Sequence, residues 1–325
     1  MTQEKILYLS QQEVVSIGLS MADIIQLLET AFEEKGNRRV EMPPKPGIHP
    51  GEGDNFIHAM PAYIPAMNSA GMKWVSGFPG NADKGLPYIT GLLILNDPET
   101  GIPLAVMDCE WITAMRTAAA SAVSARRLAR PDSTKLGVLG CGVQGFTNTE
   151  ALNVLFPIEE VFAYDIIPQA VENFTQKVQS NLGLKVTPVN TPEEAVTNSD
   201  LIVTAGPILK VPHKTIKAGW MPEGAFASLV DFDSYWEPTA MKEASKFCTD
   251  DQRQFEYYKT AGYFQDVPPV YADLGELVTG QKPGRENQQE KTIACNLGLA
   301  LDDMAVAPTI YQRAIEMKIG TWLPR

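Results

Sequence analysis

The fold is decided by the stretch GVLGCGVQG, residues 137–145. It has the form of an apolar strand that leads into a G-x-G-x-x-G turn, and the turn opens a helix. Gly140 permits the tight turn, Gly142 lets a pyrophosphate approach the backbone, and Gly145 lets helix and strand pack closely. The first N–H groups of that helix can bind phosphate. The stretch therefore predicts a dinucleotide-binding unit of the Rossmann type.

A second strand, residues 160–164, leads directly to Asp165. This acid lies about 20 residues after the glycine turn, where dinucleotide-binding folds place the carboxylate that binds the ribose. Asp165 can accept hydrogen bonds from both ribose hydroxyls and would repel a 2′-phosphate. Because strand, helix, second strand and acid fall in register, the pattern favours a cofactor site over an unrelated glycine turn. The cofactor it predicts is NAD rather than NADP.

Around this motif, strand-like segments alternate with helical ones. The strands are expected near residues 135–140, 160–165, 184–189, 200–205 and 225–230. This rhythm is typical of a parallel sheet with right-handed crossovers. The predicted fold class is α/β: a doubly wound parallel Rossmann sheet with a second, smaller α+β domain.

The smaller domain is expected upstream of the Rossmann domain. A capping box at Ser20 opens a helix that Gly36 ends. Short strands, the last two forming a hairpin, are expected at residues 55–60, 70–75, 89–95 and 102–107.

Two further helices set the predicted domain boundaries. An alanine-rich helix over residues 111–129 connects the domains, and a helix over 297–317 returns to the first domain. The smaller domain is therefore expected to comprise residues 1–116 and 299–325, and the Rossmann domain residues 117–298.

Composition excludes several classes of function. The 325-residue chain has a formal net charge of −12, which argues against binding to nucleic acid or to an anionic membrane surface. No apolar run is long enough for a membrane span, and the first residues lack the apolar core of a signal peptide. The four cysteines form no C-x-x-C or Cys/His cluster, so no metal site is expected. We expect a cytoplasmic enzyme with free thiols.

Two cations stand in apolar surroundings and are candidates for chemistry. Lys73 lies inside a short apolar strand, where it could hold a substrate carboxylate or, with its pKa lowered by burial, move a proton. The alternative is an edge lysine with a snorkelling stem. Arg116 stands among small apolar residues near a helix start, which suits bidentate binding of a carboxylate or phosphate. The alternative is an interdomain salt bridge.

Three further residues are candidates for the active site because of where they lie in the predicted fold. His58 lies on a strand before a proline turn, where a histidine is more often structural than catalytic, and it takes a family resemblance to make the catalytic role equally consistent. Asp231 and Asp233 follow the strand predicted at 225–230. Open α/β sheets bind ligands beyond the carboxyl ends of their strands, so one of these acids is expected to face the nicotinamide or the substrate amine. The alternative is a loop acid that caps the following turn.

Together with the glycine turn, Lys73 and Arg116, several short segments resemble the ornithine cyclodeaminase/μ-crystallin family over nearly the whole chain. These segments are MPPK (42–45), AMPA (59–62), FPGN (78–81), KGLP (84–87), PETG (98–101) and RTAA (116–119). Within the family, the combination is most similar to the archaeal type of NAD-dependent alanine dehydrogenase.

The resemblance implies roles for individual residues. Lys73 would contact the substrate carboxylate and take part in proton transfer, and Arg116 would bind the same carboxylate. The residues implied to line the cofactor are Arg116, Thr117, Gly140, Gly142, Val143, Gln144, Gly145, Asp165, Thr204, Ala205 and Asn296. The family also implies that the smaller domain binds the substrate, an amino acid or imine, and forms a homodimer.

The chain departs from the family pattern at three positions. Lys45 stands where many members have a substrate arginine, and it is counted with His58 in the substrate site. His58 stands where cyclodeaminases have a glutamate and the alanine enzyme an arginine. An ungapped match puts Phe232 at the aspartate that cyclodeaminases use in catalysis. The last two departures disfavour ornithine cyclodeaminase as the activity.

The sequence therefore predicts an NAD-dependent oxidoreductase that acts on the α C–N bond of an L-amino acid through an imine. Lys73 would act on the proton, with Asp231 or Asp233 steering the amine. The alternatives are an ornithine cyclodeaminase with catalytic NAD, a cyclic imine (ketimine) reductase, and a nucleotide-binding crystallin-like protein without turnover.

Overall fold

The structure, a computed structural model, describes residues 5–51 and 53–325. Its strands are β1 (Lys5–Leu9), β2 (Gly47–Ile48), β3 (Phe56–Ile64), β4 (Ser69–Gly77), β5 (Ile89–Asn96), β6 (Pro103–Asp108), β7 (Lys135–Leu139), β8 (Glu160–Tyr164), β9 (Lys185–Pro188), β10 (Leu201–Thr204), β11 (Phe226–Leu229), β12 (Lys246–Thr249), β13 (Ala272–Asp273), β14 (Thr292–Cys295) and β15 (Thr321–Pro324). Its α-helices are α1 (Gln11–Ser16), α2 (Met21–Gly36), α3 (Glu110–Leu128), α4 (Val143–Leu155), α5 (Pro168–Leu182), α6 (Pro192–Thr197), α7 (Pro238–Met241), α8 (Gln252–Thr260), α9 (Leu274–Val278) and α10 (Ala300–Met317).

The chain divides into two compact units. Unit 1 comprises the residues up to Arg116 together with Leu299–Arg325, and unit 2 comprises Thr117–Gly298. Helix α3 therefore begins in unit 1 and continues in unit 2.

Unit 2 is built on a parallel sheet. In the described chain its eight strands follow the order β13–β12–β14–β11–β10–β7–β8–β9, and every neighbouring pair is parallel. Strands β8 and β9 are added on one side of β7, and β10 and β11 on its other side. The order of strand addition thus reverses between β7 and β10, which is the switch point where doubly wound sheets bind ligands. The glycine turn follows β7 at that point. The predicted α/β fold class is confirmed.

The five strands that the sequence predicts in this unit are β7 to β11, whereas β12, β13 and β14 are missed. These strands are two to four residues long. Two polar residues, Lys246 and Thr249, are buried in β12, where a strand covered on both faces normally shows a continuous apolar run.

Unit 1 is built on a mixed sheet. Its seven strands within the described ranges follow the order β15–β1–β6–β5–β4–β3–β2. Strands β5 and β6 form the predicted antiparallel hairpin. The sequence does not predict β1 and β15, which pair antiparallel with each other, while β1 runs parallel to β6. Helix α10 packs against α2, β3 and β4. Segments that flank unit 2 on both sides thus build this sheet.

The face of the unit 1 sheet that α10 covers is mainly apolar, but it also carries Lys73, His58 and the buried Ser69. A row of laterally paired residues crosses five strands through Leu9, Met107, Leu93, Lys73 and Met60. All five are buried. Lys73 thus occupies a core position, where an ammonium group needs a partner.

The opposite face of the same sheet, here called the outer face, is also apolar. One row of laterally paired residues runs through Tyr8, Val106, Ile94, Met72 and Pro61. The next row pairs Trp74 with Leu92, whose exposed fractions are 45% and 43%.

Within the part of the chain that the structure describes, no helix has the length and apolarity that a bilayer crossing requires. The same residues hold no group of three His, Cys, Asp or Glu side chains suited to a metal ion. All four cysteines are buried free thiols.

Candidate active site

The glycine turn between β7 and α4 closes through contacts that only glycine permits. Gly140 has φ of +100°, a left-handed conformation that side chains disfavour. A Cβ at Gly140 would come within 2.6 Å of the Ala205 carbonyl oxygen. A Cβ at Gly145 would collide with the carbonyl oxygen of Gly140. The turn therefore needs glycine at both positions for reasons internal to unit 2.

Gly142 lies in open space instead. A Cβ built there meets no atom of the described chain within 4 Å. Gly142 is the N-cap residue of α4 and has no side chain that could cap the helix, so the N–H groups of the first turn can accept a ligand. The next residue, Val143, is 64% exposed. An open glycine in front of an uncapped helix N-terminus fits the pyrophosphate of a dinucleotide.

Asp165 is held against the glycine turn by the protein itself. Its Oδ2 accepts a hydrogen bond from the backbone N–H of Cys141 (2.8 Å), and its Oδ1 accepts one from the backbone N–H of Ile167 (2.9 Å). Each carboxylate oxygen has two lone pairs, so both can also accept from ribose hydroxyls. The carboxylate is thus fixed where the sequence predicts ribose binding.

The other residues implied for the cofactor include several at the carboxyl edge of the sheet. Thr204 is the last residue of β10, Ala205 follows it, and Asn296 follows β14. Parallel strands end at the same edge, so all three share the edge that carries the glycine turn. Gln144 lies in the first turn of α4 and Thr117 on α3. Their contacts with a cofactor stay predictions.

The two acids after β11 are bonded within unit 2. Asp231 is fully buried and accepts hydrogen bonds from the Thr204 hydroxyl (2.7 Å) and the Gly206 backbone N–H (2.9 Å). Burial raises the pKa of Asp231 to about 7. Asp233 accepts from the backbone N–H of Phe264 (3.2 Å), and burial raises its pKa as well. These contacts fit the alternative of structural loop acids, and a role in steering the amine stays a prediction.

Phe232, between the two acids, belongs to the core of unit 2. It has φ of +63°, a strained conformation for a bulky residue, and only 3% of its surface is exposed. Its ring packs 5.0, 5.6 and 5.1 Å from the rings of Tyr258, Tyr263 and Phe264. Position 232 is therefore an apolar packing position in unit 2.

In unit 1, three elements converge on the ammonium group of Lys73. Its Nζ donates to Oδ1 of Asp303 on α10 (2.8 Å) and to Oγ1 of Thr113 on α3 (3.2 Å). The side chains of Lys73 and Asp303 are both 0% exposed. The lysine on β4 is therefore a desolvated ammonium with a carboxylate partner, and it is not an edge residue with a snorkelling stem.

Arg116 joins the same cluster. Its Nη1 donates to Asp302 Oδ2 (3.2 Å), and its Nε lies 3.3 Å from Asp303 Oδ1. Asp302 Oδ2 also accepts from the backbone N–H of Leu299 at the start of α10 (2.9 Å). We call Lys73, Arg116, Asp302 and Asp303 the buried ion cluster. Within unit 1, the two cations that the sequence singles out lie together.

The buried ion cluster adjusts the proton affinity of Lys73. Burial lowers the pKa of Lys73, and the neighbouring Arg116 guanidinium lowers it further. The Asp303 carboxylate opposes both by raising it. A lysine whose pKa lies below its ordinary value can accept a proton closer to neutral pH, as a general base must.

His58 lies on the same face of the unit 1 sheet as Lys73, paired with Val75. Its ring stacks on Phe56 with 4.4 Å between centroids. Burial, followed by the charge of Lys45, lowers the pKa of His58 to about 3. The imidazole is therefore neutral at physiological pH, and Lys45, itself only 8% exposed, supplies the positive charge nearby.

Sequence reasoning missed the two acids of the buried ion cluster. Asp302 and Asp303 stand in the first turn of α10, where acids are common because they complement the helix dipole. The available signal was their setting, since both lie within the apolar stretch of residues 299–307. Buried carboxylates need positively charged partners, and Lys73 and Arg116 are those partners.

Fold and site together define the class of protein. Unit 2 is a Rossmann unit with the features of NAD binding, and unit 1 holds a lysine and an arginine in a buried ion cluster. The chain belongs to the ornithine cyclodeaminase/mu-crystallin family, whose model matches residues 5–318. The resemblance that the short segments predict is confirmed.

Known proteins of the family are similar along their whole length. An alanine dehydrogenase of Archaeoglobus fulgidus is 36% identical over 323 residues, which cover 97% of both chains. The structure of Thermococcus litoralis Δ(1)-pyrroline-2-carboxylate reductase in complex with NADH and L-proline matches with a TM-score of 0.88 and 32% identity, covering 97% of this chain and 99% of that one. An archaeal alanine dehydrogenase dimer with bound NAD matches with a TM-score of 0.86 and 35% identity, covering 98% and 99%.

Proposed function

We propose that this protein is an NAD-dependent oxidoreductase that acts on the α C–N bond of an L-amino acid or of the corresponding imine. The observation that carries the proposal is the fully buried Lys73 beside Arg116 in unit 1. The glycine turn and Asp165 of unit 2 fit NAD. The names of two relatives, an alanine dehydrogenase and a pyrroline-2-carboxylate reductase, describe the two directions of this chemistry.

Each residue then has a role in the oxidation direction. Arg116 has five N–H donors, enough to bind a substrate carboxylate in addition to its aspartate partners. Neutral Lys73 accepts a proton from the α-ammonium group, and the C=N bond of an imine forms as the α C–H bond breaks. The NAD⁺ that the glycine turn and Asp165 would hold would supply the hydride acceptor for the α-carbon and would leave as NADH. Asp303 and Thr113 stabilise the resulting Lys73 ammonium. Water then adds to the imine, and ammonia leaves to give the 2-oxo acid.

Two features favour net oxidation or reduction over the ammonia-lyase reaction of a cyclodeaminase. A neutral His58 beside Lys45 does not attract a second substrate ammonium, as a glutamate would. Phe232, which the family resemblance matches without gaps to the catalytic aspartate of cyclodeaminases, is a buried aromatic residue without a carboxylate. The substrate we propose therefore carries one amino group.

The experiment that tests the proposed function is a panel of L-amino acids, including L-alanine, L-proline and L-ornithine, each incubated with NAD⁺. Formation of NADH and release of ammonia are both measured, and cyclic imines are tested with NADH in the reverse direction. We expect NADH to form in proportion to substrate consumed. Ammonia release from L-ornithine without net NADH would indicate a cyclodeaminase, and no substrate-dependent change at the NADH absorbance band would contradict an enzymatic role.

Cofactor selectivity is expected to depend on Asp165. Replacing Asp165 by serine together with Ile166 by arginine removes the charge that repels a 2′-phosphate and supplies a cation for it. Ile166 is 84% exposed, so an arginine fits without repacking. We expect the ratio of NADPH to NADH affinity to rise by about tenfold or more. Fluorescence titration with both cofactors measures it. If the unmodified protein already binds NADPH as tightly as NADH, the role given to Asp165 is wrong.

We also propose that the chain forms a homodimer through the outer face of unit 1. Its rows of apolar side chains, with Trp74 and Leu92 nearly half exposed, have the composition of a subunit interface. An archaeal relative is described as a dimer.

Charged substitutions on the outer face are expected to separate the subunits. Trp74→Glu and Leu92→Asp each place a carboxylate in an apolar interface, where desolvation costs several kcal/mol. Light scattering should give at least twice the 35.6 kDa chain mass for the unmodified protein and the chain mass for the variants. Val211→Asp, at a site 82% exposed in unit 2, serves as the control. A monomeric unmodified protein at micromolar concentration would contradict the dimer.

A further inference from the structure

Within the buried ion cluster, Asp303 has a carboxylate oxygen that takes part in no hydrogen bond of the described chain. Asp303 Oδ1 accepts from Lys73 Nζ and lies 3.3 Å from Arg116 Nε. Asp303 Oδ2 is buried and has no hydrogen-bond partner among the described residues. A buried acceptor without a donor is destabilising, and more so when it is charged. Oδ2 is therefore an acceptor prepared for a donor that the described chain does not supply.

The position of Oδ2 restricts what that donor can be. Because both oxygens share one carbon and Lys73 Nζ is 2.8 Å from Oδ1, a group bound at Oδ2 lies no more than about 8 Å from Nζ. It also lies near Arg116, which is suited to a carboxylate. A molecule that places a carboxylate on Arg116 and an N–H donor on Asp303 matches both partners, and an α-amino acid has these two groups on one carbon.

We propose that Asp303 binds the α-nitrogen of the substrate through Oδ2 and so places it beside Lys73. This inference rests on the proposed function and adds a residue to it. Asp303 then has two tasks: Oδ1 orients the proton acceptor, and Oδ2 orients the proton donor. In the reverse direction, the same oxygen accepts a hydrogen bond from the N–H of a protonated imine.

Asp303 fits this role better than the acids that follow β11. Both oxygens of Asp231 already accept hydrogen bonds within unit 2. Asp233 bonds to the backbone of Phe264, and its Oδ1 also lacks a partner in the described chain. Among the acids that the structure describes, only Asp303 combines such an oxygen with direct contacts to both Lys73 and Arg116. Asp233 is therefore the competing candidate in the experiment.

The test compares two ligands that differ only in the α-nitrogen. The first is the amino acid of the panel with the highest rate, and the second is the carboxylic acid with the same side chain, for example L-alanine and propionate. In Asp303→Asn we expect the KM for the amino acid to rise by about tenfold or more. The inhibition constant of the simple carboxylic acid should change by less than about threefold. A purely structural defect would weaken both ligands alike.

A second variant distinguishes a specific loss of nitrogen binding from a folding defect. Asp303→Glu keeps a negative charge for Lys73 and Arg116 but moves the carboxylate by one methylene. The same nitrogen-specific loss is expected, with the thermal unfolding midpoint close to that of the unmodified protein. Asp266→Asn, at an exposed acid that pairs with Lys242, is the control.

The pH profile gives an independent readout. Lys73 is faced by Asp303 from α10, by Arg116 and Thr113 from α3, by Cys109 before that helix, and by His58 from β3. The Asp303 carboxylate raises the pKa of Lys73, so its removal in Asp303→Asn lowers that pKa. Neutral Lys73 then exists at lower pH, and the rising limb of kcat for oxidation should move to lower pH.

The outcomes separate this inference from the proposed function. Absence of turnover by the unmodified protein on every substrate overturns the proposed function. If the unmodified protein turns over, two results overturn the role of Asp303 alone. In one, Asp303→Asn and Asp303→Glu weaken binding of the amino acid and of the carboxylic acid equally. In the other, they weaken the binding of neither. A nitrogen-specific loss in Asp233→Asn and not in Asp303→Asn also overturns it.

Discussion

Replacing Lys73 by alanine is expected to abolish turnover, with a fall in kcat of about 10²–10⁴-fold, while NADH affinity stays nearly unchanged. The reason is that Lys73 belongs to unit 1, whereas the glycine turn and Asp165 belong to unit 2. Lys73→Arg should fail as well, because a guanidinium keeps the charge but cannot release its proton near neutral pH. Steady-state kinetics and an NADH titration on the same preparations measure both effects.

Lys242→Ala is the matched control, since this lysine is 49% exposed and pairs with Asp266 on the surface. It should leave kcat unchanged. Near-normal kcat in Lys73→Arg would mean that Lys73 serves only as an electrostatic anchor. The proton acceptor would then have to be sought at His58 or at the acids that follow β11.

Alanine substitutions at two glycines of the turn are expected to have different effects, one on stability and one on NADH affinity. In Gly145→Ala the new Cβ collides with the Gly140 carbonyl oxygen, so the free energy of unfolding should fall by about 1–3 kcal/mol. In Gly142→Ala the Cβ enters open space, so stability should change by less than about 0.5 kcal/mol. The same methyl occupies the place of the pyrophosphate, and NADH affinity should fall by about tenfold or more.

Chemical denaturation and NADH titration separate the two effects. Gly183→Ala is an instructive comparison, because φ at this helix end is +67° and no described atom lies within 4 Å of its Cβ. It should lose stability through backbone strain but keep its affinity for NADH. A Gly142→Ala variant that binds NADH normally would contradict the place given to the pyrophosphate.

The sequence predicts unit 2 well because its signals are local. The glycine turn, the strands on either side of it and Asp165 lie within about 30 residues, and each follows from backbone sterics or from the period of apolar residues. Strands β1 and β15 escape prediction because each is short and finds its partners far away in the chain. No local pattern distinguishes such a segment from an extended loop.

The candidate site was predicted in part. Lys73 and Arg116 are visible in the sequence because a charge in an apolar segment is costly anywhere in the chain. Their partners on α10 are not visible, since an acid in the first turn of a helix is ordinary. Asp231 and Asp233 stand at the strand end that a doubly wound sheet favours for ligands, yet their hydrogen bonds run within unit 2. A strand end specifies the place of a side chain but not its direction.

The insertion of unit 2 between Arg116 and Leu299 has a consequence for biosynthesis. Lys73 and Asp303 are 230 positions apart, and all of unit 2 leaves the ribosome between them. At about 5–20 residues per second, translation separates the base from its counter-ion by roughly ten seconds or more. During that interval the Lys73 ammonium has no aspartate from α10, so its burial in the core of unit 1 would be costly. We therefore expect the buried ion cluster to be among the last parts of unit 1 to be completed, after unit 2 has been synthesised.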